Sequence, residues 1–350
     1  MIVSEFSTGA PTPELVADMV QAALNKSGAA HANSVLLFLT PHFTSKVLSV
    51  LQAATRVSRC LQVSGSIVSS ILTDAASSQG RPACAALVFT DAHAFQTGSG
   101  PACECWFGHT PPQNLKSRIG ALISPPGGPA FPAWRSGRLS PTQQVCINFP
   151  GLKAEGFISQ GAQALTAPLP VSENYGQDLV ALGNQRALPM LARELPVEWR
   201  ALPDIPINRL AAGLVEGNPE DAIPQGRFRL LPIQGTNAVT QTVTLSETPP
   251  PRSWIFWAQM QPDHAERNLR HQLIHLQERS FDPLFGLVVS TRLRGLSLPD
   301  QENRDLALLR KTYPGMPFIN IQADTVLSQI DGGHMATYPF ALALTVFNQA

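Results

Sequence analysis

The stretch SVLLFLTPHFTSKVLSVLQAATRV (residues 34–57) sets two periodicities side by side. Residues 34–39 form a short, almost wholly apolar run, the pattern of a strand buried on both faces. After Thr40-Pro41, residues 44–57 place Val47, Leu48, Val50, Leu51, Ala54 and Val57 at helical spacing. A buried strand followed by an amphipathic helix is the unit of an α/β protein. Upstream, Thr12-Pro13-Glu14 supplies a capping hydroxyl, a proline at the first helical position and an acid in the first turn. That helix is expected to run to about Lys26, with Gly28 beyond it. Residues 61–63 and 83–89 read as the next strands.

The far end of the chain repeats the alternation. Residues 228–233, 239–245 and 253–259 read as strands, followed by a helix over 262–278. A strand at 284–290, a helix at 299–311 and strands at 317–321 and 339–347 complete a βββ-αβ-αββ order. Between the two ends the pattern is less regular. Prolines at 101, 111, 112, 125, 126, 129, 132 and 141 break any period over 97–143. This segment is expected to be a long surface excursion with one strand near 103–107. Order returns at 144–149 and 156–164. A helix over 184–195 carries Pro189 and should start late or kink. Residues 196–226 are rich in proline and read as a bridge. No short-period repeat is visible. The expected fold is α/β, in two parts (1–225 and 226–350), with mixed sheets flanked by helices.

The 350 residues are 44% hydrophobic, enough for a sizeable core, and only 14% charged, below the roughly 25% usual in soluble proteins. Lys+Arg and Asp+Glu balance at 25 each, which gives no global field to attract nucleic acid or an anionic membrane. A charge-poor surface is compatible with self-association. The longest apolar runs are too short to cross a bilayer, and MIVSEFSTGAPTPE lacks a basic segment leading into an apolar one, so no signal peptide is expected. Five cysteines, an odd number, suit free thiols in a reducing cytoplasm better than a disulfide framework.

Two groups of stretches stand out. Toward the N-terminus they are NSVLLFLTPHF (33–43), CLQVSGSIVS (60–69), ACAALVF (83–89) and residues 160–195. Toward the C-terminus they are FRLLPIQGTNAVTQTVTLSE (228–247), SWIFWAQMQPDHAERNL (253–269), GLVVSTRLRG (286–295) and FINIQADTVLSQIDGGHMATYPFALALTVF (318–347). The ordered series, not any one motif, resembles the FIST family (F-box and intracellular signal transduction proteins) in both its N and C parts. The resemblance implies a cytoplasmic sensory or ligand-binding module, with amino acids among the proposed ligands. The chain departs from the family in two places: Ala323-Asp324 stands where Gly-Glu is usual, and Val63-Ser64-Gly65-Ser66 replaces a turn richer in glycine.

Asp324 follows an apolar strand, and strand ends in α/β sheets are where ligands commonly sit. The plainer alternative is a turn or capping carboxylate. Arg292 and Arg294 follow the strand at 284–290, and a guanidinium there could grip a carboxylate with two bonds; a solvated arginine is the alternative. Ser64, Gly65 and Ser66 could offer backbone N–H groups to an anion, or form a turn that needs small residues. Cys103-x-Cys105 with His109, Cys84 and His93 only loosely resembles a metal set. At about 100° per residue, His264, His271 and His275 fall near 0°, 340° and 20°, one polar stripe on the helix. His271 and His275 could chelate as an i, i+4 pair, but no H-E-x-x-H is present and a solvated face reads better. His334 lies in a Gly-Gly loop. No G-x-S-x-G elbow or phosphate loop occurs.

The expectation is therefore a small-ligand sensory or signal-transduction module without cofactor or metal. Its site would bring Asn320, Asp324 and Arg292 or Arg294 to one cleft around an amino-acid-like ligand. A signalling protein partner fits this reading. An enzyme acting in the inter-domain cleft and a protein-interaction scaffold are the alternatives.

Overall fold

A computed structural model describes residues 1–73, 76–78, 80–90, 93–98, 102–112, 114–124, 130–200, 202, 204–280, 282–329 and 335–350. The first unit runs β1 (Ile2–Thr8), α1 (Pro13–Ser27), β2 (Ser34–Leu39), α2 (Val47–Ser58), β3 (Val63–Ile67), β4 (Ile71–Thr73) and β5 (Ala83–Phe89). A middle group follows: β6 (Gln96–Gly98), β7 (Ala102–Gly108), β8 (Lys116–Leu122), β9 (Ala133–Arg135), β10 (Arg138–Leu139) and β11 (Gln144–Asn148). β12 (Leu152–Ser159) opens a second unit. An insertion then holds β13 (Ala162–Ala164), β14 (Leu169–Tyr175), β15 (Asp178–Leu182), β16 (Gln185–Arg186), α3 (Ala187–Glu194) and α4 (Val197–Arg200). It continues with β17 (Leu210–Val215), α5 (Pro219–Ala222), β18 (Phe228–Asn237), β19 (Thr242–Leu245) and β20 (Trp254–Met260). The second unit resumes with α6 (Pro262–Arg279), β21 (Phe285–Thr291), α7 (Arg292–Ser297), α8 (Gln301–Thr312) and β22 (Phe318–Ala323), then β23 (Thr325–Gln329), β24 (Met335–Tyr338) and β25 (Leu342–Gln349).

The two units share one topology. In the first, β2 and β3 are parallel, β5 lies antiparallel to β2, and β1 antiparallel to β5. In the second, β21 and β22 are parallel, β25 lies antiparallel to β21, and β12 antiparallel to β25. The register makes the twins explicit: Thr40 N–H donates to Ala83 O at 3.0 Å, and Thr291 N–H donates to Ala341 O at 2.9 Å. Asn33 to Phe89 and Leu284 to Phe347 match in the same way. On this register ACAALVF (83–89) overlies ALALTVF (341–347), with Ala83, Ala85, Val88 and Phe89 recurring as Ala341, Ala343, Val346 and Phe347. The repeat spans so many residues, and is interrupted by so large an insertion, that no short period betrays it.

The twins pack face to face with helices outside. Along β2, Leu36 and Phe38 point inward to a core shared with Leu287, Val289, Ile319 and Ile321 of the second unit. Val35, Leu37 and Leu39 point outward onto Val16, Val20, Val50 and Leu51 of α1 and α2. This alternation of faces is why 34–39 reads as continuously apolar. On the far side, Val288, Leu342 and Leu344 meet Leu269, Leu273 and Leu309 of α6 and α8. Phe89 and Phe285 close the inner seam edge to face at 5.3 Å. The helix start expected at 12–14 is present: Thr12 Oγ1 accepts from Leu15 N–H at 3.3 Å, and Gly28 ends α1 at φ 69°.

Two regions correct the sequence reading. The 97–143 segment is not a surface excursion: β7 and β8 pair in parallel and lie inside a sheet ordered β24-β23-β8-β7-β11-β6, with Trp106 and Phe107 buried. Pro111 and Pro112 stand between strands and Pro132 just before one, so they interrupt the period without interrupting the sheet. Residues 196–226 are not merely a bridge either, since β17 is buried over Leu210–Leu214. It joins β20, β14, β15, β19 and β18 in a closed antiparallel ring, because β17 pairs with both β18 and β20. Leu231, Val243 and Trp257 in this barrel pack with Met190 and Leu191 of α3, which starts late, after Arg186, as Pro189 requires. The 225/226 boundary falls inside the β17–β18 hairpin, and β4, β12 and β23 each pair with strands from the other side of it.

Candidate functional site

The parallel strands β21 and β22 end beside a recess of about 340 Å³ lined by Arg292, Gln322, Glu302 and Ser70. Arg292 is the first residue of α7, and Asp324 follows β22 directly. The two meet as expected: Arg292 Nη2 lies 3.3 Å from Asp324 Oδ1. Asp324 Oδ2 accepts the Ser124 N–H at 2.6 Å, and the Asp324 N–H donates to Leu122 O at 2.9 Å. Both carboxylate oxygens therefore already carry protein partners, and Asp324 ties the end of β22 to the end of β8. Nearby, Gln322 Nε2 donates to Glu302 Oε1 at 2.9 Å. Burial raises the Glu302 pKa; the Gln322 bond opposes this and the Asp305 charge adds to it.

Arg294, Asn320, Ser64 and Gly65 do not line this recess. Arg294 does not sit on a turn: Thr291 caps α7 through its hydroxyl, and the helix turns Arg294 inward. There it is 2% exposed and bound to Asp305. Asn320 is 1% exposed, on the helix-facing side of β22 and opposite Leu72 of β4. Its Oδ1 has no hydrogen-bond partner among the described residues. Ser64 and Gly65 are not in a turn but inside β3, fully paired with β2 and β9. A Cβ on Gly65 would stand 1.8 Å from Leu37 O, so glycine serves the close approach of two strands, not an anion. Ser64 Oγ accepts the Ser136 N–H at 3.1 Å. His334 lies outside the described residues.

A second cleft, of about 330 Å³, opens where β8, β12 and β23 meet the mouth of the β17–β18 hairpin. Gly156 of β12 lies on its wall, and a Cβ there would meet Leu344 O at 2.4 Å. Arg118, Glu216, Arg227, Gln160, Ser328 and Tyr338 supply polar atoms to the lining. The hairpin loop is closed by two backbone bonds, Glu216 N–H to Arg227 O at 2.9 Å and Arg227 N–H to Ala222 O at 2.8 Å. Gly217, at φ 90°, turns beneath the guanidinium; its Cβ would lie 3.5 Å from Arg227 Nη1. Arg227 Nε is buried with no partner among the described residues. Glu216 Oε1 lies 3.8 Å from Arg229 Nε. Gln160, by contrast, is spent on the fold, donating to Phe228 O at 2.5 Å and accepting the Leu230 N–H at 2.9 Å. The cleft thus sets two guanidinium groups and one carboxylate around a space that fits a small molecule, one donor lacking a partner. Sequence reading missed Arg118 because it falls in the segment read as excursion, and Arg227 because it stands between the segment read as a bridge and the strand at 228. The one visible signal was an arginine between Gly226 and the apolar β18.

Among the described residues no group of three or more His, Cys, Asp or Glu is placed to hold a metal ion. Cys103 and Cys105 pack in different hydrophobic clusters, and His109 Nδ1 is engaged with Ser124 Oγ at 2.8 Å. None of the five cysteines is in a disulfide. A hydrogen bond from Cys146, with burial, pushes the Cys103 thiol far up. Among the described residues no helix is long and apolar enough to cross a membrane. No family model matches the chain, and no curated protein matches it.

Proposed function

We propose that the chain is a small-ligand-binding protein, acting as a cytoplasmic sensory or signal-transduction module, and that its ligand is amino-acid-like and sits in the cleft between β8, β12 and the β17–β18 hairpin. The observation that carries this reading is the buried Arg227 Nε without a partner, because an unpaired buried donor costs roughly 1–3 kcal/mol and a ligand carboxylate relieves that cost. Arg118 stands on the same wall to share the carboxylate, and Glu216 to take an ammonium group. The resemblance to the FIST family points to the same class of function, with a signalling protein as the downstream partner.

A panel of free L-amino acids and short dicarboxylates, each added at millimolar concentration, tests this by thermal shift. At least one is expected to raise the melting temperature of the unaltered chain and to do nothing for Arg227→Met. The unliganded melt of that variant should stay the same or rise, since the arginine loses no bond at Nε. No response to any member of the panel, or equal responses from the two chains, would sink the reading.

A further inference from the structure

The polar face of α6 walls a third cavity, of about 730 Å³, whose opposite side is built from residues 162–164, 223–226 and 228. His264, His271 and His275 all line it. His271 Nε2 and His275 Nε2 lie 3.1 Å apart, with ring centroids 4.4 Å apart and planes at 84°. Two imidazole nitrogens bound to one tetrahedral ion at about 2.0–2.1 Å each sit roughly 3.3 Å apart. The pair is therefore within a few tenths of an ångström of chelating geometry before any ion arrives.

A carboxylate that orients the pair is also in place. His275 Nδ1 faces Glu278 Oε2 at 3.2 Å. A carboxylate there holds the proton on Nδ1 and turns the Nε2 lone pair outward, the arrangement that backs metal-bound histidines. The His271 Nε2–H then donates to His275 Nε2, and a cation taken between them requires that proton to pass to His271 Nδ1, so that both rings bind through Nε2 as neutral imidazoles. His264 cannot be a third ligand, since seven residues along a helix are about 10.5 Å. Arg267 lies on the same wall, Arg270 is paired with Glu266, and Arg279 reaches Glu155. These cations disfavour a bare ion and favour one that carries an anionic oxygen donor.

We propose that His271 and His275, oriented by Glu278, chelate a borderline divalent cation of the zinc, nickel or copper(II) class, and that its open positions face the cavity and take water or an anionic oxygen of a ligand held beside Arg267. Imidazole ligands select these ions over magnesium and calcium, which prefer oxygen. The site is separate from the arginine-lined cleft and does not rest on the amino-acid reading.

Calorimetric titration of the full, reduced chain with zinc chloride tests it, with magnesium chloride as the control. One zinc per chain is expected, and no magnesium uptake. His271→Gln and His275→Gln should each weaken zinc binding at least tenfold, and Glu278→Gln by 10–100-fold, as loss of such outer partners usually does. All three side chains are exposed, so the variants should melt as the unaltered chain does without metal. Failure of the unaltered chain to take up zinc, or an affinity unchanged in any of the three variants, overturns the proposal; the latter would place the ion elsewhere, on the thiols.

Discussion

Arg294 and Asp305 meet inside the protein through two parallel bonds, Nε to Oδ2 at 3.0 Å and Nη2 to Oδ1 at 3.3 Å. Gln301 Nε2 adds a third donor to Oδ1 at 2.8 Å, and Arg294 Nη1 reaches Ser159 O at 3.3 Å. One ion pair thus joins α7, α8 and the end of β12.

Because both partners are almost wholly buried, removing one strands the other's charge in an apolar setting. Asp305→Ala is expected to cost about 3–5 kcal/mol, read from urea unfolding at neutral pH. Arg294→Met combined with Asp305→Leu should recover most of that loss. A single-variant loss under about 1 kcal/mol would mean that the guanidinium finds water and is not locked in the fold.

Asp324 and Arg292 look like equals in an ion pair, yet the contacts rank them differently. Arg292 is 41% exposed on its side chain, and pairs of that kind contribute roughly 0–1 kcal/mol. Asp324 also receives a part-buried backbone N–H from Ser124, a charged-acceptor bond worth about 1.5–3 kcal/mol. Asp324→Ala should therefore destabilise the unliganded chain clearly more than Arg292→Ala. Equal losses in a denaturant titration would assign the aspartate to the surface pair alone.

Glu302 offers a pH signature. Burial raises its folded pKa above the unfolded value, so its neutral form is the one the fold prefers. The contribution is fully present below the ordinary glutamate range and is lost as pH rises through the raised folded value. Glu302→Gln keeps an acceptor for Gln322 and carries no charge. It should melt higher than the parent at pH 7, and the gap should close as pH falls below the ordinary glutamate range. A gap that is independent of pH would remove burial of the charge as its cause.

How far the sequence carried depended on whether a segment's partners lay nearby. The strand at 34–39, the helix at 44–57 and α6 were legible because each buries one face against a neighbour of its own unit. β7 was legible as the strand near 103–107, but β8 and the sheet that holds both were not, because their apolar residues answer to strands drawn from three parts of the chain. The barrel was hidden for the same reason: ring closure between β17 and β20 leaves no local trace. At the site, Arg292 with Asp324 was legible as two residues following parallel strands. Arg294 was misread because helix α7, not a turn, follows β21, and a step of two residues on a helix points away from the first. Arg227 could be seen as an arginine against a strand, but its unpaired nitrogen exists only once Gly217 and the loop fold beneath it.

Two units of one topology, packed inner face to inner face, make within a single chain the arrangement that a symmetric pair of identical subunits would make. Extending the register past each parallel strand pair overlies Pro41 with Arg292 and Ser69 with Asp324. The same register overlies Gly65 with Asn320. Where the units agree, as at Thr40 and Thr291 or Phe89 and Phe347, the shared architecture dictates the residue. Where they differ, no symmetry binds one unit to the other, so that a charge, an amide or a close approach occurs once without being imposed twice.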